Sequence, residues 1–141
     1  MNHKPTILIV DDDPMTRESL RQALEINGFA VVEAEDAPAT LDKLRDNSVN
    51  VVLLDIYLPG QSGLELLKEI KRINRDIKVV MITGYASLAS AIEALDWAAF
   101  AYMEKPIDMK KLMATLSRAI EQQQAELSLR KPLSARLKQL I

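Results

Sequence analysis

The chain has 141 residues, 48% of them hydrophobic and 27% charged, with a formal net charge of -2, a composition that suits one globular domain with a buried core and a short tail. A charge so near balance gives no field to attract nucleic acid, and no apolar run reaches the roughly 20 residues a membrane-spanning helix needs. Cysteine is absent and His3 is the only histidine, which excludes disulfides, thiolate metal sites and histidine triads, and Met1-Asn2-His3-Lys4 leads into a strand rather than a secretory apolar segment, so the expected compartment is the cytoplasm.

Short apolar runs alternate with segments of helical period, the signature of repeated βα units around a parallel sheet. Strands are expected at Ile7 to Val10, Ala30 to Ala34, Val51 to Leu54, Lys78 to Thr83 and Phe100 to Met103. Helices are expected between and after them, at Pro14 to Asn27, Pro38 to Asp46, Ser62 to Ile73, Ser87 to Trp97 and Met109 to Gln124. Five such units make a doubly wound α/β sandwich of three layers. In the first helix Asp13 is placed to cap the free N-H groups, Pro14 suits the first helical position and Gly28 suits a left-handed turn after Asn27. Gln122-Gln123-Gln124 starts a more polar tail, into which the fifth helix is expected to continue. Pro132 should interrupt the helix there, and Leu133, Leu137 and Leu140 suggest a short amphipathic piece after it. Arg130, Lys131, Arg136 and Lys138 read as the solvated face of this tail.

Chemistry gathers at the strand ends. The first strand runs into Asp11-Asp12-Asp13, the third into Asp55, the fourth into Thr83, and Lys105 lies just past the fifth. In an open parallel sheet these ends share one edge, where ligands bind. Asp11, Asp12 and Asp55 brought together repel one another, and a divalent hard cation is the natural remedy; Mg²⁺ takes carboxylate, water and phosphate oxygens. An ammonium and a hydroxyl beside them suit a transferred phosphoryl group, with Asp55 as the nucleophile that becomes an aspartyl phosphate.

These residues resemble a known family. Ile7 to Asp13, Leu53-Leu54-Asp55 with Pro59 and Gly63, Met81-Ile82-Thr83-Gly84 and Tyr102-Met103-Glu104-Lys105-Pro106 are similar to the motifs of the receiver domain of bacterial two-component response regulators, over about residues 5 to 122. The resemblance implies a flavodoxin-like (βα)5 fold at residues 1–122, with residues 123–141 as a helical tail or linker. It implies that Asp55 accepts a phosphoryl group from a histidine kinase or phosphotransfer protein. Asp11, Asp12, Asp55 and the Tyr57 carbonyl would hold Mg²⁺, and Lys105 would contact the phosphoryl group. Thr83 and Tyr102 match the family's switch pair, and Lys105-Pro106 its cis peptide. Tyr57 and Tyr85 fall at positions that tune the lifetime of the phosphoryl group, Tyr85 being the stronger candidate. The chain would then be a signalling switch rather than a turnover enzyme, acting on an output domain or protein that the sequence does not name. No DNA-binding or catalytic domain is expected in residues 123–141, so the chain reads as a stand-alone regulator or as a receiver cut from a larger protein whose linker begins in the tail. Leu112, Leu116, Ala119, Ile120 and Leu127 keep helical spacing on one side, which points either to core packing or to a homodimer.

One departure stands out: Trp97-Ala98-Ala99 occupies a place where the family often has Gly-Ala. An alanine in a left-handed turn costs roughly 1 kcal/mol, so the end of the fourth helix, and with it the surface of that helix, the fifth strand and the fifth helix, is expected to be remodelled. Two other classes compete with the switch. Asp11-x-Asp13 after a strand resembles the nucleophile motif of haloacid dehalogenase-type phosphatases, which leaves Asp55 unexplained. A degenerate receiver acting only as a docking module is the other, and the intact Asp11, Asp12, Asp55, Thr83 and Lys105 argue against it.

Overall fold

The computed structural model describes residues 4–140, without the side chains of Ala135, Arg136 and Gln139. His3 and the Arg136 side chain, both singled out from sequence, lie outside the described residues. The elements alternate along the chain as β1 (Thr6–Val10), α1 (Pro14–Ile26), β2 (Ala30–Ala34), α2 (Ala37–Asp46), β3 (Val51–Asp55), α3 (Gly63–Ile73), β4 (Lys78–Thr83), α4 (Leu88–Asp96), β5 (Ala101–Glu104), α5 (Met109–Leu129) and α6 (Leu133–Leu140). The five strands form one parallel sheet in the order β2-β1-β3-β4-β5, a doubly wound arrangement whose order reverses between β1 and β3.

The period of two in each strand divides the core into two halves. Leu8, Val10, Val52, Leu54, Val79 and Met81 pack with Leu66, Leu67 and Ile70 of α3 and Ala94 of α4. Ile7, Ile9, Val51, Leu53, Val80 and Ile82 face the other way, onto Leu20 and Leu24 of α1 and Leu112, Leu116 and Ile120 of α5. Because the central strands β1, β3 and β4 are covered on both sides, they read as unbroken apolar runs and end abruptly in polar residues. That abrupt change puts Asp11, Asp55 and Thr83 along one edge of the sheet.

Two helices end in the same hydrogen-bonded motif. After α1, Phe29 N-H donates to the Leu24 carbonyl and Gly28 N-H to that of Glu25, each at 3.1 Å. After α4, Ala99 N-H donates to Ala94 and Ala98 N-H to Leu95, each at 3.0 Å. The left-handed position is Gly28 (φ 90°) in the first and Ala98 (φ 61°) in the second. The expected remodelling of this helix end therefore does not occur. Two capping hydrogen bonds, with Trp97 set near the Lys68 and Arg72 cations of α3 at 5.5 and 5.0 Å, hold the alanine in the strained conformation.

The fifth helix runs past Gln124 to Leu129 before the chain breaks at Pro132. Its extension is tied to the end of the sheet opposite Asp55. The buried Gln123 side chain donates to the main-chain oxygens of Asn50 (3.0 Å) and Asp76 (2.8 Å) and accepts from the Asn50 amide (2.9 Å). One turn on, Glu126 pairs with Lys78 at 2.9 Å, and Arg130 pairs with Asp76 at 2.5 Å. Leu112, Leu116, Ala119 and Ile120 are buried against the sheet, whereas Leu127 is 41% exposed. Most of the stripe open to either use is thus core.

Candidate functional site

Lys105 joins the strand ends. Its ammonium donates to Asp11 Oδ2 at 2.8 Å and to Asp55 Oδ2 at 2.9 Å, although these residues lie far apart in sequence. The Lys105 N-H donates to the Thr83 carbonyl at 2.8 Å, which extends the β4–β5 register by one residue, and the Lys105–Pro106 peptide that follows is cis. Asp55 and Asp11 are nearly buried, Asp12 is exposed, and carboxylate oxygens of all three lie within 4.8 Å of one another.

Each acid is oriented by local backbone. Asp55 Oδ1 accepts from Tyr57 N-H and Asp11 Oδ1 from Asp13 N-H, both at 2.9 Å. Asp13 instead turns away to cap α1, accepting from Met15 N-H at 3.1 Å and from the Thr16 hydroxyl at 2.7 Å. These bonds, the Thr16 hydroxyl first, hold the Asp13 carboxyl below the usual range. Asp55 moves the opposite way. Burial raises its pKa and the Asp11 charge adds to the rise, against the lowering effect of Lys105 and of the Tyr57 N-H. Burial also disfavours the Lys105 ammonium, but the bonds to Asp11 and Asp55 outweigh it and hold that pKa above normal. The balance is that of a carboxylate cluster with one cation too few, and its donors are all hard oxygens. It is a set that fits a divalent cation such as Mg²⁺.

The remaining candidates lie around this centre. Thr83 is fully buried and its hydroxyl accepts from Tyr85 N-H at 3.0 Å. Tyr102 sits on β5, its hydroxyl 2.6 Å from Ser90 Oγ and accepting from Ser87 N-H at 3.3 Å. It thereby ties β5 to the start of α4. Tyr57 and Tyr85 are 55% and 75% exposed and touch each other. Gly63 opens α3 directly against the end of β3: a Cβ there would fall on the Asp55 carbonyl oxygen and within 2.8 Å of Ile56 Cα.

Arg17 joins the site without a sequence motif to announce it. It reaches back from α1 to donate to the Asp11 carbonyl at 2.5 Å and pairs with Glu33 of β2 at 3.2 Å, bracing the acidic turn from behind. The only sequence signal is its place one turn after the Asp13 cap.

A family model described as the response regulator receiver domain matches residues 7–117. The response regulator MprA of Mycobacterium sp. (strain KMS) is 34% identical over 110 residues, 78% of this chain and 48% of that protein. The transcriptional regulatory protein FixJ of Bradyrhizobium diazoefficiens is 36% identical over 122 residues, 86% of this chain and 60% of that one. Among solved structures, a CheY-like response regulator receiver domain protein from Methanospirillum hungatei JF-1 superposes with a TM-score of 0.85 at 35% identity, covering 88% of this chain and 99% of its own. The chain spans about half the length of the mycobacterial relatives it matches. Sheet order, strand-end acids and these likenesses agree, and the chain belongs to the response regulator receiver domain family, the signalling switches of two-component systems.

Proposed function

We propose that Asp55 is the phosphoacceptor of this receiver domain, and that Asp11, Asp12, Asp55 and the Tyr57 carbonyl hold Mg²⁺. The observation that carries the reading is the Lys105 ammonium bridging Asp11 and Asp55 at 2.8 and 2.9 Å on the C-terminal edge of the sheet. An Asp55 carboxylate oxygen attacks the phosphorus of a phosphohistidine on a histidine kinase or phosphotransfer protein. The oxygen–phosphorus bond forms as the nitrogen–phosphorus bond breaks, and the released imidazole takes a proton from solvent. Lys105 is placed to neutralise phosphoryl oxygens once they stand at Asp55, and the Thr83 hydroxyl to donate to them after releasing the Tyr85 N-H. A Mg²⁺ ion held there supplies the charge that makes the transfer to an anionic centre feasible. The chain promotes its own phosphorylation and dephosphorylation in this way, with no other turnover.

The switch is assigned to Thr83 and Tyr102. Tyr102 is bonded to both Ser87 and Ser90, so a movement of the β4–α4 loop toward the phosphoryl group passes directly to the ring. Tyr57 and Tyr85 rim the same edge and are assigned to the lifetime of the phosphoryl group. The proposal places the receiver at residues 1–122 and a tail or linker at 123–141. Its partners are a cytoplasmic kinase and an output domain or protein, with a second copy of the chain as a further candidate. Acetyl phosphate with Mg²⁺ should add one phosphoryl group, labile in alkali, to the wild type and none to Asp55→Asn. Retention of that mass gain by the variant would remove Asp55 from the role.

A further inference from the structure

At the pole of the sheet opposite Asp55, a cleft of about 630 Å³ opens between the end of α3, the turn after α4 and the extension of α5. Its volume falls in the range of small-molecule sites. Four cations line it: Lys71 and Arg75 from the end of α3 and the turn after it, Lys78 from the first residue of β4, and Arg130 from the cap of α5. Glu126 is the one acid on the wall, and the Ala98-Ala99-Phe100 segment makes its apolar side.

The charges are unevenly answered. Lys78 is 7% exposed and is matched by Glu126 at 2.9 Å, and Arg130 is matched by Asp76 at 2.5 Å. Arg75 makes no hydrogen bond or ion pair among the described residues, and Asp76, already paired with Arg130, acts on its charge only through space. Lys71 has only a neutral partner, the Ile77 carbonyl at 2.7 Å. Its amine is pulled down to about 8, by burial first and then by the charge of Lys78, with Glu126 and Asp76 opposing the shift only in part. A half-buried ammonium facing a second ammonium without an anion of its own is an unstable arrangement in water-poor surroundings, and a multiply charged anion relieves it.

We propose that this cleft is a binding site for a polyphosphate group, carried by a nucleotide-sized organic phosphate or by free polyphosphate. Lys71 and Arg75 are its cations without an ion pair, and Lys78 and Arg130 add their field from either side. The guanidinium of Arg75 matches two phosphate oxygens at once, and Lys71 acts as a point charge deeper in the cleft. The ligand would touch α3, the Ala98 turn and the α5 extension together. Occupancy is therefore read out by the part of the molecule that leads into the tail, independently of Asp55.

Amide chemical shifts of the full chain test this, in Mg²⁺-free buffer at 150 mM salt, titrated with inorganic pyrophosphate and separately with adenosine diphosphate. Saturable shifts are expected at Ala99, Phe100 and Gln122. The exposed Arg75→Ala substitution, which disturbs no packing, and Lys71→Met should each weaken binding severalfold, and the double variant at least tenfold. Tighter binding of the nucleotide assigns the site to an organic phosphate, and equal affinity assigns it to free polyphosphate. Shifts that rise linearly without saturation, or affinities that Arg75→Ala and the double variant leave unchanged, overturn the proposal.

Discussion

Tyr57 and Tyr85, carried on separate loops two residues beyond Asp55 and Thr83, meet edge to face, with ring centroids 5.4 Å apart and planes at 83°. Each ring is largely exposed, and each has the other as its ring contact. Such pairs contribute about 0.5–1.5 kcal/mol beyond area burial. If the pair screens the phosphoryl group from in-line water, losing it speeds hydrolysis, each ~1.4 kcal/mol taken off the barrier being about tenfold in rate. Phosphorylated Tyr85→Ala should lose its phosphoryl group faster than wild type at equal Mg²⁺, and the Tyr57→Ala, Tyr85→Ala double variant should be no faster than the product of the single effects allows. Wild-type decay in both single variants would remove the rings from this role.

Ala98 carries the same left-handed position after α4 that Gly28 carries after α1. Glycine relieves the steric conflict there, and its greater freedom in the unfolded chain offsets part of the gain. Ala98→Gly is expected to stabilise the domain by about 0.5–1 kcal/mol, seen as a higher urea midpoint at unchanged slope. Gly28→Ala should move the midpoint the other way.

Asp12 and Asp13 are neighbours with different work. Asp12 is exposed, within the carboxylate cluster, whereas both oxygens of Asp13 are engaged in capping α1. Calorimetric titration with Mg²⁺ should show strongly weakened binding in Asp12→Ala and nearly wild-type affinity in Asp13→Ala. The latter should instead destabilise the fold by roughly 1 kcal/mol through loss of the cap. Equal losses of affinity would contradict this division.

Lys71 makes stability depend on pH in a defined window. Its amine titrates near 8 in the folded chain, against about 10.5 unfolded. Above the unfolded value both states are neutral and the site costs nothing. As pH falls from about 10.5 to 8 the unfolded chain takes up a proton that the folded one does not, so stability drops, and below 8 the full cost persists. Lys71→Gln should therefore gain in Tm relative to wild type as pH is lowered through this window. A difference that stays flat from pH 7 to 10.5 would show that burial does not act on the amine.

The parts of the fold that the sequence announced are those where one residue serves one purpose. The apolar runs of β1, β3 and β4 must be buried on both faces, so their ends are sharp in sequence and structure alike, and Asp11, Asp55 and Thr83 stand where those runs stop. The anchoring of α5 was less legible than its run into the tail, which ends before Pro132 as expected. Gln122-Gln123-Gln124 reads as a solvated run, yet Gln123 is only 4% exposed because it satisfies the Asn50 and Asp76 carbonyls at the sheet's end. Hydrophobic periodicity cannot register such a residue. Ala98 was misread for a related reason: intrinsic preference argues against it, while two capping hydrogen bonds that depend on the whole turn decide the outcome. Arg17 shows the same limit, since its hydrogen bond to the Asp11 carbonyl exists only once α1 has folded back onto β1.

The absence of a side chain at Gly63 has a mechanical meaning. Its N-H donates to the Ile56 carbonyl at 2.7 Å, and its Cα lies so close to the end of β3 that no methyl group fits between them. The start of α3 and the end of β3 thus form a stator, a single rigid block on which Asp55 is mounted. A displacement of Asp55 toward α3 has no slack to exploit on that side. Across the sheet the Thr83–Tyr85 loop and the serines at the head of α4 are held instead by single hydrogen bonds, from N-H groups to hydroxyls and between hydroxyls, which can be exchanged one for another.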